Sequence, residues 1–271
     1  QAKRLIYLET QFFRDRNLAR ALARRARACR SLHLILLLPA APDDVAFSGS
    51  QSADARFGEF LQARCLRILR RGFGARLLVV SPVRPKEDDG DGRDTLEDAP
   101  IIYVHSKVSV FDDNRAILSS ANLNGRSLRW DTEAGLDITQ TDQIAALRRA
   151  VMGAWLPADH DPAATEPGTA FGIWQDLALE NAETAPKARR GLIVPHDPKP
   201  ARIFGRQLPG LPEWFLSRDD AAGVASVLEA SSNPGAFTDT DLQHYRRAYR
   251  QPGAARGPVN WYLQTLLQIT Y

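Results

Sequence analysis

The sequence predicts an α/β protein, a mixed β-sheet flanked by helices and followed by a short helical tail. Three observations carry this expectation. Short apolar runs bounded by turn residues recur at Leu5–Leu8, Leu32–Leu38 and Arg76–Val80, with stretches of helical periodicity between them. From Ile101 onward apolar and polar residues alternate, and a second strand follows directly after an Asp-Asp-Asn turn at 112–114. Strand, helix, strand, helix and then two strands in close succession describe a largely buried mixed sheet.

Taken in order, Leu5–Leu8 is a short strand, and Glu9-Thr10-Gln11-Phe12-Phe13 follows at its end. Residues 15–31 read as a helix with Leu18, Ala21, Leu22, Ala26 and Cys29 inward; Arg20, Arg24, Arg25, Arg27 and Arg30 form a solvated face, with binding to an anionic membrane as the sharper alternative. Leu32–Leu38 is a buried strand ended by Pro39, and residues 40–52 form a long loop able to overhang a site. Ala53–Arg71 is helical and is stopped by Gly72 and Gly74. The charged run 86–98 has DxDG-like character, but no Glu stands at the twelfth position of a calcium loop, so a loop is expected there.

In residues 101–111, alternation places Val104, Ser106, Val108 and Val110 on one face and His105, Lys107 and Ser109 on the other. Arg115–Leu118 resumes a strand that delivers Ser119, Ser120 and Asn122 to the same end of the sheet. Residues 132–139 are again strand-like, 141–155 form an amphipathic helix, and 157–212 are Pro-rich and irregular with one helix near Gly172–Glu180. His160 and His196 fall in Pro-rich loops, where surface positions are expected.

Composition bounds the function. With 271 residues, 44% of them hydrophobic, the chain can form one large or two modest domains. A net charge of +3 suits a phosphate-bearing ligand. The longest apolar run is too short to span a bilayer and no signal peptide is seen, which points to a cytoplasmic protein or one peripheral to the inner membrane. The chain starts with Gln, as a part of a longer chain would. Cys29 and Cys65 lack metal spacing and read as buried thiols.

The chemistry concentrates between Ile101 and Glu133. His105, Lys107 and Asp112 stand at the spacing H-x-K-x4-D, with Ser120, Asn122 and the acid Glu133 beyond them. A titratable base or nucleophile, a cation and neutral donors around one point suit attack on a phosphodiester. This stretch resembles the phospholipase D superfamily, whose signature is H-x-K-x4-D, then G-[SG]-x-N and an acid. Ser119 stands where that family usually has Gly. N-x-N-G-R-S at 122–127 and I-Y-L-E-T-Q-F-F at 6–13 also resemble family segments, the latter one that opens the second half of bacterial phospholipases D.

The resemblance implies a phosphohistidine mechanism in which two H-x-K-x4-D motifs meet across a pseudo-twofold interface, with no metal or other cofactor. It makes His105 the general acid, Lys107 a ligand of the phosphoryl oxygens, and Ser120 and Asn122 their supports. Glu133 would orient the histidine of the opposite half, Glu9 and Gln11 would stand beside the site, and Asp112 would fix strand–turn geometry. No second His has Lys two residues on, so the other half is expected from a missing segment or from a second copy. The implied substrate is a glycerophospholipid, with peripheral membrane contact and no nucleic acid, since the arginines cluster on one helix. The alternatives are an incomplete non-catalytic fragment or fusion product, and a nuclease or cardiolipin synthase of the same superfamily.

Beyond residue 213 the text changes. Two capped helices and the segments S-N-P-G-A-F-T-D and G-P-V-N-W-Y resemble part of the cap of epoxide hydrolase-type α/β-hydrolases, where the Tyr at position 262 would polarise an epoxide. The nucleophile and catalytic His of that family have no counterpart, so such an activity is not expected. The expected organisation is a phospholipase D-like half-domain at 1–156, a Pro-rich extension at 157–213 and the helical tail at 214–271.

Overall fold

A computed structural model describes residues 2–50, 53–88, 90, 92–197, 225, 228 and 235–249. Its centre is a seven-stranded mixed sheet. The strands are β1 (Leu5–Glu9), β2 (His33–Leu37), β3 (Leu77–Pro82), β6 (Val108–Phe111), β7 (Arg115–Ser119), β8 (Gly135–Ile138) and β9 (Ile193–Pro195). A separate two-residue ladder pairs β4 (Thr95–Leu96) with β5 (Ala99–Pro100). The order across the main sheet is β8-β7-β6-β1-β2-β3-β9. β1 runs parallel to β2 and β2 to β3, and the remaining pairs are antiparallel.

Helices cover both faces, because successive residues of a strand point to opposite sides. Ile6, Leu8, Leu34, Leu36 and Leu38 pack against α1 (Arg16–Ala28) and α3 (Ala53–Phe73) through Leu22, Ala26, Leu66 and Leu69. Leu5, Tyr7, Ile35, Leu37 and Val108 pack against α4 (Thr141–Gly153) and α5 (Ala170–Glu183) through Ile144, Met152 and Trp174. A sheet buried on both faces explains why β2 and β3 are apolar runs without alternation. The helix α1 starts where Asp15 accepts the Leu18 amide at 2.6 Å.

Several elements differ from their sequence expectation. Gly72 does not stop α3 but lies within it, and a Cβ there would come within 2.5 Å of Cβ of Ala23 on α1. The missing side chain is what lets the two helices touch. Gly74, at φ +61°, follows the end of the helix. The loop at 40–52 contains a short helix, α2 (Asp43–Ala46). Cys65 is buried as expected, but Cys29 caps the C-terminus of α1 and is only half-buried, its Sγ 3.4 Å from Ser31 Oγ.

The Pro-rich stretch contributes β9, which pairs with Pro82 and its neighbours on β3. His196 is buried rather than on the surface: its Nδ1 shares a 2.8 Å hydrogen bond with Ser81 Oγ, and burial pulls its pKa down to about 4. Arg148 of α4 is buried too, held by Asp113 and, at 2.9 Å, by Glu166. His160 is half-buried, with its Nδ1 2.8 Å from the Pro157 carbonyl oxygen.

The chain divides into two compact units, residues 1–203 and 204–271. In the second, α6 (Asp239–Tyr249) begins at the expected threonine: Thr238 Oγ1 accepts the Asp241 amide at 3.3 Å while the Asp241 carboxylate accepts the Thr238 amide at 2.9 Å. Tyr262, the N-W-Y segment and the Gly stop at 253 lie outside the described residues. Among the described residues no helix is long and apolar enough to cross a membrane.

Candidate active site

Four strands end at one edge of the sheet. Glu9, the last residue of β1, is paired with Val108, the first of β6; Val108 is paired with Leu118 of β7; and Ser119 is paired with Gly135, the first of β8. Register therefore brings Ser119 and the segments that flank Glu9, Val108 and Gly135 to one end of the sheet. Gly135 is needed opposite Ser119, since a Cβ there would stand 2.6 Å from that of Ser119. Ser119 itself has no positive φ, so serine at this motif position carries no left-handed backbone strain.

The alternation from 101 to 111 predicts one continuous strand, but regular pairing covers only 108–111, with an isolated bridge from Ile101 to Val83. Residues 103–106 leave the ladder, while the Ile102 amide still donates to the Pro82 carbonyl at 2.9 Å and the Lys107 carbonyl still accepts the Ser119 amide at 3.1 Å. As a result His105 and Lys107 do not share one exposed face: His105 is exposed, and Lys107 is 92% removed from solvent, with 8% of its surface exposed. The ammonium turns back to donate to the His105 carbonyl oxygen at 2.5 Å. Burial lowers the Lys107 pKa, and the negative charge of Glu133 opposes that shift.

Around this pair stand the other expected residues. The Ser120 hydroxyl donates to Glu133, and the same oxygen accepts the Ala134 amide at 3.0 Å. Asn122 Nδ2 donates to Gln11 Oε1 at 3.2 Å, and Gln11 Nε2 donates to the Tyr103 hydroxyl at 2.6 Å. Gln11 thus orients an asparagine of the motif, and Tyr103 orients Gln11.

Glu9, expected beside the site, is buried. Its carboxylate accepts hydrogen bonds from Tyr7 Oη at 2.6 Å, from Trp155 Nε1 at 2.9 Å and from the hydroxyl of Ser106. Burial, reinforced by the adjacent carboxylate, raises the Tyr7 pKa well above its ordinary value and keeps the phenol a donor. Ser106 lies between His105 and Lys107, so Glu9 grips the motif from beneath.

Asp112 is not brought to this edge. It stands beyond the far end of β6, five residues from Lys107, or roughly 16 Å along an extended chain. There its carboxylate accepts the backbone amides of Lys3 at 2.6 Å, Arg4 at 3.1 Å and Leu5 at 2.6 Å, with its own φ at +51°. It ties the turn after β6 to the start of β1.

Sequence reasoning did not single out Tyr103, Ser106 and Trp155. Ser106 reads as a core-facing position, and Trp155 is separated from Glu9 by nearly the whole half-domain. Nothing local signals either contact. Among the described residues, no group of three or more His, Cys, Asp and Glu side chains could hold a metal ion.

Known proteins resemble this chain in parts. Residues 1–155 match the family described as cardiolipin synthase, PLD-like domain. Phospholipase D zeta 1 of Arabidopsis thaliana is 43% identical over 54 residues, 18% of this chain and 5% of that protein. The AB hydrolase superfamily protein YfhM of Bacillus subtilis is 38% identical over 71 residues, 26% of this chain and 25% of that protein. The matched segments thus span no more than a quarter of either relative. Among solved structures, NucT from Helicobacter pylori superposes with a TM-score of 0.35 at 17% identity, covering 55% of this chain and 77% of NucT. The phosphatidylserine synthase of Haemophilus influenzae gives 0.38 at 15% identity, covering 74% of this chain and 38% of the synthase. The family match extends over more than half of the chain, across the sheet edge that gathers His105 and Lys107, and the protein belongs to the phospholipase D superfamily through its PLD-like domain.

Proposed function

We propose that this chain is a phosphodiesterase of the phospholipase D type, acting on the phosphatidyl group of a glycerophospholipid and supplying one of two H-x-K-x4-D half-sites. The observation that carries this reading is the convergence of exposed His105, buried Lys107, Ser120, Asn122 and Glu133 on one sheet edge. In the proposed first step, the imidazole nitrogen of a second half's histidine attacks phosphorus and the bond to the leaving alcohol breaks. His105 gives its proton to that alcohol oxygen. In the second step, water or another alcohol attacks the phosphohistidine, returning a proton to His105 and freeing the partner imidazole.

The remaining roles follow from charge and donor type. Lys107 is the cation for the non-bridging oxygens, and its burial strengthens that attraction because little water screens it. Ser120 and Asn122 supply neutral donors. Glu133 orients the partner histidine. Glu9 and Gln11 hold the motif segments, and Asp112 secures the turn behind them. The catalytic half-domain is assigned to residues 1–156, its extension to 157–213, and the tail to 214–271. Phospholipid and a second half-site are the partners, contact with the membrane is peripheral, and no cofactor is required.

The surface beside the site supports a second half. Leu118 on β7 and Leu136 on β8 are cross-strand partners, and they stand 38% and 63% exposed; Trp130, just before Glu133, is 64% exposed. Apolar side chains of this size beside a half-site suit contact with another such half. A second reading, in which the chain is a non-catalytic fragment by itself, is separated by one experiment. Turnover of phosphatidylcholine vesicles is measured across fractions whose molar mass is read by light scattering. Activity confined to a dimer supports two combined half-sites. A folded, inactive monomer supports the fragment reading.

A further inference from the structure

The outer face of α1 and α3 is not used by the proposed chemistry. Arg16, Arg20 and Arg27 of α1 and Arg64, Arg67 and Arg71 of α3 line one open groove of about 720 Å³. Their spacings, four and seven residues on α1 and three and four on α3, keep each set on one side of its helix. Half-buried Phe60 and Ile68 line the same groove. The basic cluster thus belongs to two helices, where the sequence alone places it on one.

Among the described residues, the acids nearest these arginines in sequence are engaged elsewhere. The helix α1 contains no acidic residue. Asp15, just before it, is committed to Arg129 at 2.6 Å, and Glu59 of α3 is committed to Arg93. Among the described residues, Arg20, Arg27, Arg64, Arg67 and Arg71 enter no ion pair. Burial, then repulsion from Arg64 and Arg20, pulls the Arg16 pKa down, as expected where like charges crowd.

We propose that the α1–α3 face docks on an anionic lipid bilayer. Two observations favour a bilayer over a nucleic-acid strand. First, exposed Arg24, four residues from Arg20 and three from Arg27 on α1, widens the positive face beyond the groove's own lining, giving a broad face rather than a track. Second, strand grooves stack successive bases on several aromatic rings, and among the described residues only Phe60 lines this one. Arginine heads can reach lipid phosphates while their stems, with Phe60 and Ile68, meet the headgroup–acyl boundary. Docking here needs no turnover, so its test is separate from that of the catalytic reading.

Binding is measured by co-sedimentation of the full chain carrying His105→Ala, which prevents any turnover from changing the vesicle charge. The probes are vesicles of phosphatidylcholine with and without phosphatidylglycerol. The expected result is binding only to the anionic vesicles, falling steeply with added salt. Arg64→Gln, Arg67→Gln and Arg71→Gln together should weaken it on the order of a hundredfold. If that triple variant does not fold, Arg20→Gln with Arg27→Gln serves in its place and should weaken binding at least about tenfold. The proposal is overturned by equal binding to neutral vesicles, by binding that a folded variant leaves unchanged, or by preference for a single-stranded oligonucleotide abolished by the same substitutions.

Discussion

The buried Glu9 carboxylate accepts the hydroxyl of Ser106, the residue that separates His105 from Lys107, and so couples the end of β1 to the centre of the motif. The same carboxylate also satisfies Tyr7 and Trp155, so removing it leaves buried donors without an acceptor. Glu9→Ala is expected to cost about 2–4 kcal/mol of stability, read by urea denaturation. Glu9→Gln, which keeps one acceptor oxygen, should cost less. Equal stability of wild type and Glu9→Ala would remove the gripping role.

Under the proposed chemistry, His105 donates the proton that the departing alcohol requires. His105→Ala should therefore reduce phosphodiesterase turnover by at least about 10³-fold, and His105→Gln should not rescue it. Turnover should survive excess EDTA. Retained activity in either histidine variant, or loss of wild-type activity with chelator, would reject the assignment.

Asp112 is expected to behave as a structural residue. It accepts three consecutive backbone amides and sits in the left-handed region, which Asn tolerates and Ala does not. Asp112→Ala should lose about 2–3 kcal/mol and Asp112→Asn less, with turnover per folded molecule little changed. A large fall in turnover without loss of stability would place it in the chemistry instead.

Stability should fall with acidification through His196. Burial is the main cause that lowers its folded-state pKa from 6.5 to about 4, so between those values the unfolded chain binds a proton that the folded chain refuses. The stabilising effect is complete above about pH 6.5 and is lost as the pH falls toward 4, by at most about 3 kcal/mol. Urea midpoints for wild type and His196→Gln at pH 7.5 and 5 test this. The variant should show a smaller drop, and an identical drop in both would exclude His196 as the source.

Gly72→Ala should destabilise by about 1–3 kcal/mol, because the new Cβ meets Ala23 across the α1–α3 contact. Adding Ala23→Gly should not recover that loss, because Cα of residue 23 would still stand 2.6 Å from the new Cβ. A stable single variant would mean that the two helices separate without penalty.

The order of the elements and the identity of the motif were legible in sequence because both depend on local pattern. Apolar runs bounded by turn residues locate β1 to β3, and the H-x-K spacing with Ser120, Asn122 and Glu133 survives any ambiguity about where a strand ends. What the pattern could not decide was which side chains leave the ladder. Alternation assumes continuous pairing from 101 to 111, but the chain leaves its partners over 103–106, and beyond that break Lys107 is buried while His105 stands in solvent.

Contacts distant in the chain belong to the tertiary structure alone. The resemblance sets Glu9 beside the site, but that Trp155, 146 residues away, closes over its carboxylate is written in no local pattern. His196 reads as a loop residue until β9 joins the sheet and buries it against Ser81. Gly72 reads as a helix stop until Ala23 fills the space its hydrogen leaves, and the basic groove exists only once α1 and α3 lie side by side. Residue type and spacing determined which chemical groups this protein carries and, through the strands, the edge to which they are delivered. Burial, which sets the environment of Lys107, Glu9 and His196, is a property of the packed whole, since it depends on segments that no local window contains.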